Sequence, residues 1–147
     1  MVEIKPAVLN LDEFTKEIDL SSVKLEEDLW LPFYKSLSLQ LLRLIVMGTP
    51  VDTGRARGNW QLAINSPQGG TTERTDKAGD AVLADANAAL VAVKDFEAIW
   101  LSNNLPYILR LEEGSSSQAP EGFVAKAIDA IERHINDEFA QLESQTL

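Results

Sequence analysis

Apolar residues recur at helical spacing near the start of the chain, directly after a residue pair suited to capping a helix. Asn10 can accept a hydrogen bond from a free helical N–H while Glu13, three residues later, reaches back. Three apolar residues then share one face of the predicted helix: Leu11, Phe14 and Ile18. Residues 1–28 hold eight acidic and three basic residues, so we predict that they form an acidic helical arm.

The main early helix is predicted over residues 32–47, inside a single domain that spans residues 29–147. Pro32 suits the first turn, where the missing N–H of proline is not needed, and Gly48 with Pro50 gives a firm stop. Residues 41–47 are apolar almost all round. A helix end of this kind is either central in the core or covered by another subunit, and the pattern leaves both alternatives open.

Two later stretches show the alternation of a strand. Residues 59–65 place Trp60, Leu62 and Ile64 on one face, which predicts a half-buried strand. Residues 66–80 are polar, Gly-rich and without pattern, and predict a mobile loop. Residues 96–104 alternate again, and their apolar residues predict a second strand that is buried on both faces at its centre.

The remaining segments predict helices. Residues 81–94 are alanine-rich, and residues 106–120 combine a short helical or extended piece with a Gly-Ser loop. The last helix is predicted over residues 120–142, and its apolar stripe repeats every four residues: Phe123, Ala127, Ile131, Ile135 and Phe139. Asp129 and Asp137 flank Arg133 on the predicted solvent face.

Together these elements predict an α+β fold. The order is helices, strand, helix, strand and helix, which favours a small, mostly antiparallel sheet with helices packed on it. The long N-terminal helix, the short central helix and the C-terminal helix would all cover that sheet.

Composition narrows the possible chemistry. The chain has 147 residues and no cysteine, which excludes disulfides, thiolate metal sites and thiol nucleophiles. With His134 as the single histidine, a multi-histidine metal site within one chain is excluded as well. We therefore expect no metal and no cofactor. No run approaches the roughly 18–20 apolar residues of a membrane span, and we expect a protein made in a cytoplasm-like compartment.

The charge of the chain is acidic and uneven. The formal net charge of −10 argues against general binding to a phosphate backbone, which favours a basic surface. Residues 29–63 hold four basic residues and one acid, Asp52, whereas the rest of the chain holds nine basic and 22 acidic residues. One modestly basic segment thus lies in an acidic molecule.

The triplet Asp52-Thr53-Gly54 also occurs in aspartic proteases, but its surroundings here do not suit that chemistry. Two carboxylates must share a proton in such an enzyme, and the neighbouring Arg55 and Arg57 would hold Asp52 ionised. The preceding residues also predict a helix where a protease has a strand. We predict instead that Asp52 is a helix N-cap, with its carboxylate accepting from the N–H of Gly54 or Arg55.

Other catalytic arrangements are equally incomplete. His134 lies beside Arg133 on the predicted last helix, where an exposed histidine is the expected state. Glu112 and Glu113 are adjacent, and adjacent residues do not face one another on a helix. The residues therefore predict no catalytic site, and we expect a protein that is not an enzyme.

Two stretches are more specific than the rest: TPVDTGRARGNW, residues 49–60, and NNLPYILRLEEGSSSQAPEGFV, residues 103–124. In this order and spacing they resemble the motifs of a family of tail components of long-tailed bacteriophages and prophages, the neck or tail-completion proteins. That family has a long helix, Pro-Val-Asp-Thr-Gly-Arg, a strand, Asn-Asn-x-Pro-Tyr, an acidic pair with Gly, a polar loop with Gln-Ala-Pro and a closing helix. The resemblance covers residues 30–140, and the acidic arm before it departs from the motif core.

The resemblance implies a structural virion protein without enzymatic activity that acts in tail completion and head–tail joining. Related neck proteins form rings, often hexameric, between head-side connector proteins and the tail tube protein, and DNA passes through the lumen as cargo. It implies assembly in the host cytoplasm, location in the virion neck and no contact with a membrane. The motif residues expected to shape subunit contacts are Asp52, Thr53, Gly54, Arg55, Arg57, Asn103, Asn104, Pro106, Tyr107, Glu112, Glu113 and Gly114.

The roles of the charged motif residues, the shape of the second motif and the function each leave an expectation to test. Arg55 or Arg57 pairs with Glu112 or Glu113, within a subunit or across a ring interface, or the motifs form two independent exposed patches. Asn103 and Asn104 are expected to shape the turn before Pro106, and the ring of Tyr107 to pack. An alternative function is a small cytoplasmic adaptor or regulatory module that binds one protein partner through residues 41–47.

Overall fold

The structure, a computed structural model, describes residues 27–146 of the chain. The helix predicted from Asn10 and residues 1–26 of the predicted acidic arm lie outside the described residues, and the last two residues of that arm belong to the first helix. The side chain of Phe139, the last member of the predicted C-terminal stripe, also lies outside them.

Five helices and two strands make up the described part, which confirms the predicted α+β class with a small antiparallel sheet. In chain order they are α1 Glu27–Gly48, α2 Arg55–Gly58, β1 Gln61–Ile64, α3 Asp80–Val91, β2 Ile99–Ser102, α4 Ile108–Glu112 and α5 Val124–Thr146.

Helix α1 is longer than predicted and includes Pro32 in its interior. The sequence places the start at that proline, but the apolar face continues upstream of it. Trp30 and Leu31 are half-buried, and the ring of Trp30 meets that of Phe33 edge to face at a centroid distance of 6.1 Å. Packing along this face thus extends the helix beyond the first favourable start signal.

The two strands pair antiparallel, with Leu62 opposite Leu101 and Ala63 opposite Trp100. Both strands are shorter than predicted. Leu62, Ile99 and Leu101 pack against the core, whereas the side chain of Trp100 is 45% exposed. The prediction that the second strand is buried on both faces is therefore wrong. Helix α3 packs on β1 from one side, and the side of the sheet that carries Trp100 faces solvent.

The core lies where α1, α3 and α5 meet the inner face of this sheet. Leu42, Val46 and Leu90 are fully buried there, and Ile45 is nearly so. The apolar end of α1 is therefore largely in the core of its own chain, and Met47 is its exposed member at 47%.

Helix α5 packs along α1 with the predicted stripe inward. Phe123, Ala127 and Ile131 are buried and Ile135 is half-buried, which confirms those four positions. The flanking Asp129, Arg133 and Asp137 are exposed as predicted, while His134 is half-buried rather than exposed. Among the described helices, none combines the length and apolar content that crossing a bilayer demands.

Candidate functional site

The first motif begins at a buried threonine that joins the end of α1 to the start of β1. Thr49 is 1% exposed, and its hydroxyl donates to the carbonyl of Ile45 at 2.7 Å. The same hydroxyl accepts from the indole N–H of Trp60 at 2.9 Å. Trp60 in turn meets the ring of Phe123 edge to face at 6.4 Å. The sequence alone predicts none of these roles for Thr49.

The chain turns sharply after this threonine, and a glycine makes the turn possible. Gly54 has a φ of +89°, and a β-carbon there would lie 2.7 Å from the backbone nitrogen of Lys77. The hydroxyl of Thr53 accepts from the N–H of Arg55 at 3.2 Å. Asp52 is exposed and does not cap the helix, so that prediction is wrong. Gly54 turns the backbone between Asp52 and α2. The hydroxyl of Thr53, and not the carboxylate of Asp52, accepts a hydrogen bond from the first turn of α2.

Arg57 holds together the end of α1 and the loop before α3 by donating to three carbonyl oxygens. Its guanidinium donates to Met47 at 2.8 Å, to Thr49 at 3.2 and 3.3 Å, and to Lys77 at 2.6 Å. Burial lowers the pKa of Arg57 below its ordinary value, and the nearby Asp76 carboxylate offsets part of that shift. The planar fork of arginine suits this role, since one side chain bonds several carbonyls at once.

Arg55 has a different partner, and the predicted Arg–Glu pairing does not form within the chain. Its guanidinium contacts the carboxylate of Glu73 at 2.9 Å, and that glutamate side chain is 90% exposed. Since Arg57 bonds carbonyls and Glu112 bonds backbone N–H groups, the pairing within a subunit is wrong.

The stretch predicted as a mobile loop is fixed at two points by side chains that the sequence does not single out. Asn59 is fully buried, and its amide donates to the carbonyls of Arg55 and Thr72 and accepts from the N–H of Thr72 at 2.8 Å. Asp76, 9% exposed, accepts from the N–H of Gly79 at 2.9 Å and of Val82 at 3.0 Å, and so caps α3.

The second motif begins with two asparagines that bond to the first half of the chain. Asn103 donates to the carbonyl of Ala56 at 2.9 Å and accepts from the N–H of Leu105 at 3.2 Å. The second bond confirms its predicted role in the turn before Pro106. Asn104 donates to the carbonyls of Gln68 and Gly70 at 2.8 and 2.9 Å. Asn103 thus fastens the second motif to α2 of the first motif, and Asn104 fastens it to the loop that follows β1.

Glu112 caps the last helix. Its carboxylate accepts from the N–H groups of Phe123 and Val124 at 2.8 Å and of Ala125 at 3.0 Å. Partial burial raises the pKa of this carboxyl, but the three hydrogen bonds lower it by more, so the pKa lies below its ordinary value. The neighbouring Glu113 is exposed.

Gly114 closes the chain segment between α4 and α5. Its φ is +93°, and a β-carbon there would clash with the carbonyl oxygen of Pro120. This backbone shape returns the loop so that Gln118, near its far end, lies against the first motif.

The two motifs meet at one groove of about 230 Å³. The side-chain amide of Gln118 bonds both the N–H and the carbonyl of Val51, each at 2.9 Å. Asp52 and Tyr107 line the groove from opposite motifs, and the Tyr107 side chain is 37% exposed rather than packed in the core. Asp52 is the one carboxylate among the described residues that line this groove, so the paired acids of an aspartic protease are not assembled there.

Several side chains of the two motifs hydrogen-bond to backbone groups where the motifs meet. The motif side chains of Thr53, Arg57, Asn103, Asn104 and Glu112 each hold backbone groups in place. Over the described residues 27–146, no group of three or more His, Asp or Glu side chains is placed to hold a metal ion. Compared with known proteins, the chain matches no family, no curated protein and no solved structure.

Proposed function

We propose that the protein is a structural subunit of the neck of a long-tailed bacteriophage virion, where it acts in tail completion and head–tail joining. The two motifs and their order support this proposal, because they resemble those of neck and tail-completion proteins. In this proposal six copies form a ring between head-side connector proteins and the tail tube protein. DNA passes through as cargo, which fits a net charge of −10 that disfavours binding of phosphate.

The observation that carries the proposal is the union of the two motifs in one preorganised surface. Segments 67 residues apart are joined through Gln118 and Val51, and Asn103 adds a bond to Ala56. Because these side chains hydrogen-bond to the backbone around the groove, the backbone segments that carry the exposed Asp52 and Tyr107 are held in place. A surface whose backbone is held in place and that exposes a few side chains suits contact with another protein.

The alternative function, an adaptor that binds a partner through residues 41–47, has less support. Leu42, Ile45 and Val46 in that stretch are at most 3% exposed. They contribute to the core of the chain itself, and a partner could reach them only if the fold opened. Their burial counts against an adaptor that binds its partner through this surface.

The pairing of an arginine of the first motif with a glutamate of the second is compatible with the fold if it forms between neighbouring subunits of a ring. Glu113 is exposed, and Arg55 has an exposed partner, Glu73, whose ion pair is worth at most about 1 kcal/mol at a surface. In a ring, Arg55 of one subunit would pair with Glu113 of the next. Arg57 and Glu112 are excluded from that contact because their bonds within the chain already engage them.

Deleting the gene from the phage or prophage that encodes the protein tests the function. We expect electron micrographs of the lysate to show filled heads and separate tails in place of joined particles. A plasmid copy of the wild type should restore joining. Asp52→Lys should fail to do so, whereas Asp129→Lys, the same change at an exposed α5 position, should succeed. Joined, infectious particles without the gene would refute the neck role.

A second measurement tests the ring separately. The purified protein is mixed with isolated tail tubes and imaged by negative stain, and bound copies per tube are counted by quantitative mass spectrometry. We expect a ring at one end of each tube and six copies per tube. A single copy per tube, or binding along the tube wall, would overturn the ring while leaving a role in the neck intact.

A further inference from the structure

The groove where the two motifs meet contains a carboxylate that no cation of its own chain balances. Asp52 is exposed there and forms no ion pair with any of the described residues 27–146. Arg55 also lines the groove, but its guanidinium contacts Glu73 at 2.9 Å. The aromatic ring of Tyr107, a side chain that is 37% exposed, lines the groove from the second motif. The groove thus offers an acid and an aromatic ring to a side chain from outside the chain.

These groups suit the side chain of an arginine. A carboxylate accepts two parallel hydrogen bonds from a guanidinium, and the planar guanidinium also stacks on an aromatic ring. Pro50, Val51 and Leu111 line the groove as well, and they provide apolar surface for the methylene groups of a long side chain. Lysine has the charge but neither the planar fork nor the flat face, so the groove favours arginine.

Two arginines among the described residues are exposed and form no ion pair there: Arg110 and Arg133. Arg133 lies one helical turn from both Asp129 and Asp137 on α5, and acids at that spacing partly balance its charge. Arg110 lies on α4 and does not line the groove of its own chain. Arg110 is therefore the arginine that is left to pair outside its own chain.

The charges of the two motifs follow each other in complementary order. In the first motif Asp52 precedes Arg55 by three residues, whereas in the second motif Arg110 precedes Glu113 by three residues. A contact between two copies that pairs Arg55 with Glu113 can therefore pair Asp52 with Arg110 at the same time. Two opposite-charge pairs with reversed signs also fix the orientation of the contact, because the reversed orientation places like charges together.

We propose that Arg110 of a second copy enters the groove and pairs with Asp52, with its guanidinium against the aromatic ring of Tyr107. This inference rests on the proposed ring of subunits and names the side chain that each subunit contributes to the groove of its neighbour. Each copy provides one arginine and receives one, so a closed ring leaves no groove empty.

Binding to isolated tail tubes, with the copies per tube counted by quantitative mass spectrometry, tests the pair. Asp52→Arg opposes two arginines and Arg110→Asp opposes two acids, so each variant alone should bind at least about tenfold fewer copies than the wild type. An equal mixture of the two variants should restore six copies per tube, three of each, because every contact can then join an arginine to an aspartate. A pair formed within one chain would give no such rescue.

Arg133→Asp is the matched control, since it makes the same change at the other exposed arginine, and it should bind as the wild type does. An unchanged urea midpoint in every variant shows that the fold is retained. Six bound copies with either variant alone, or no rescue by the mixture, would overturn the pair while leaving the ring of subunits intact. Loss with Asp52→Arg but full binding with Arg110→Asp would instead assign the groove to an arginine of a neighbouring protein. A wild type that binds as a single copy would refute the ring and this pair together, and the gene deletion tests the neck role apart from both.

Discussion

Gln118 bonds both backbone groups of Val51, with its carbonyl oxygen accepting from the N–H and its amide nitrogen donating to the C=O, each at 2.9 Å. A side-chain amide used in this way takes the place of a neighbouring strand. It fixes the position of the loop before α5 relative to the turn between α1 and α2. The two motifs thus have a defined mutual position although neither contributes a regular element at that point.

Replacing this glutamine tests how much the paired bonds contribute. In Gln118→Glu the carboxylate still accepts from the N–H of Val51 but repels its carbonyl oxygen, so we expect a loss of about 0.5–1 kcal/mol in the free energy of unfolding. Urea denaturation at neutral pH measures it. Gln68→Glu, the same change at an exposed loop position, should cost less than about 0.5 kcal/mol. Equal losses at both positions would show that the added charge, and not the contact to Val51, is responsible.

The two arginines of the first motif give a second prediction, since they are alike in sequence and different in structure. Arg57→Lys keeps the positive charge but replaces a fork that bonds the carbonyls of Met47, Thr49 and Lys77 with a single ammonium. We expect a loss of about 1–3 kcal/mol in unfolding free energy, because the carbonyl of the buried Thr49 is left without its donor and those of Met47 and Lys77 lose charge-assisted bonds.

Arg55→Lys is the matched control for that change. Its exposed ion pair with Glu73 survives in a looser form, so thermal and urea unfolding should show a loss of under about 1 kcal/mol. A ranking in which Arg55→Lys costs more than Arg57→Lys would contradict the structural role given to Arg57.

Periodicity is enough to predict the long helices and the two strands, and the side of α5 that faces inward. The stripe of Phe123, Ala127 and Ile131 is buried as predicted, because helix period and burial are directly related. The order of the elements predicts the antiparallel sheet, and the two short strands do pair in this way. The sequence pattern does not reveal whether helices cover one face of the sheet or both. The alternation therefore places Trp100 in the core, although its face of the sheet is open to solvent.

The junction itself is less accessible to sequence reasoning. Asn59 bonds the backbone of Thr72, which is near it only in the folded chain, and Asp76 caps α3 from a polar stretch without a periodic pattern. Glu112 caps a helix that starts 12 residues later, beyond the reach of the local capping rule. The nearby candidates, Asp52 as a cap and an Arg–Glu pair within the chain, are plausible by residue type alone and are excluded by geometry.

A third prediction concerns the glycine that closes the loop before α5. Gly114 has a φ of +93°, and a β-carbon would meet the carbonyl oxygen of Pro120, so Gly114→Ala should cost about 2 kcal/mol or more in unfolding free energy. In Gly69→Ala the added carbon meets nothing within 4 Å, and the change should stay within about 0.5 kcal/mol. Chemical denaturation of both variants decides the point. A loss in Gly114→Ala no larger than in the control would mean that the loop relaxes around the methyl group.

The cap of α5 predicts a dependence of stability on pH. The folded pKa of Glu112 lies below the ordinary value of 4.5, so its contribution is fully present above about pH 4.5 and is lost as the pH falls through the lowered pKa. In Glu112→Gln the charge is absent, and we expect a loss of about 0.5–2 kcal/mol at neutral pH that shrinks toward zero in acid. Urea unfolding of wild type and variant between about pH 7 and pH 3 measures the difference. Glu113→Gln, the same change at an exposed neighbour, should follow the wild-type curve throughout. A constant gap between wild type and Glu112→Gln across this range would show that the charge of Glu112 does not stabilise the helix.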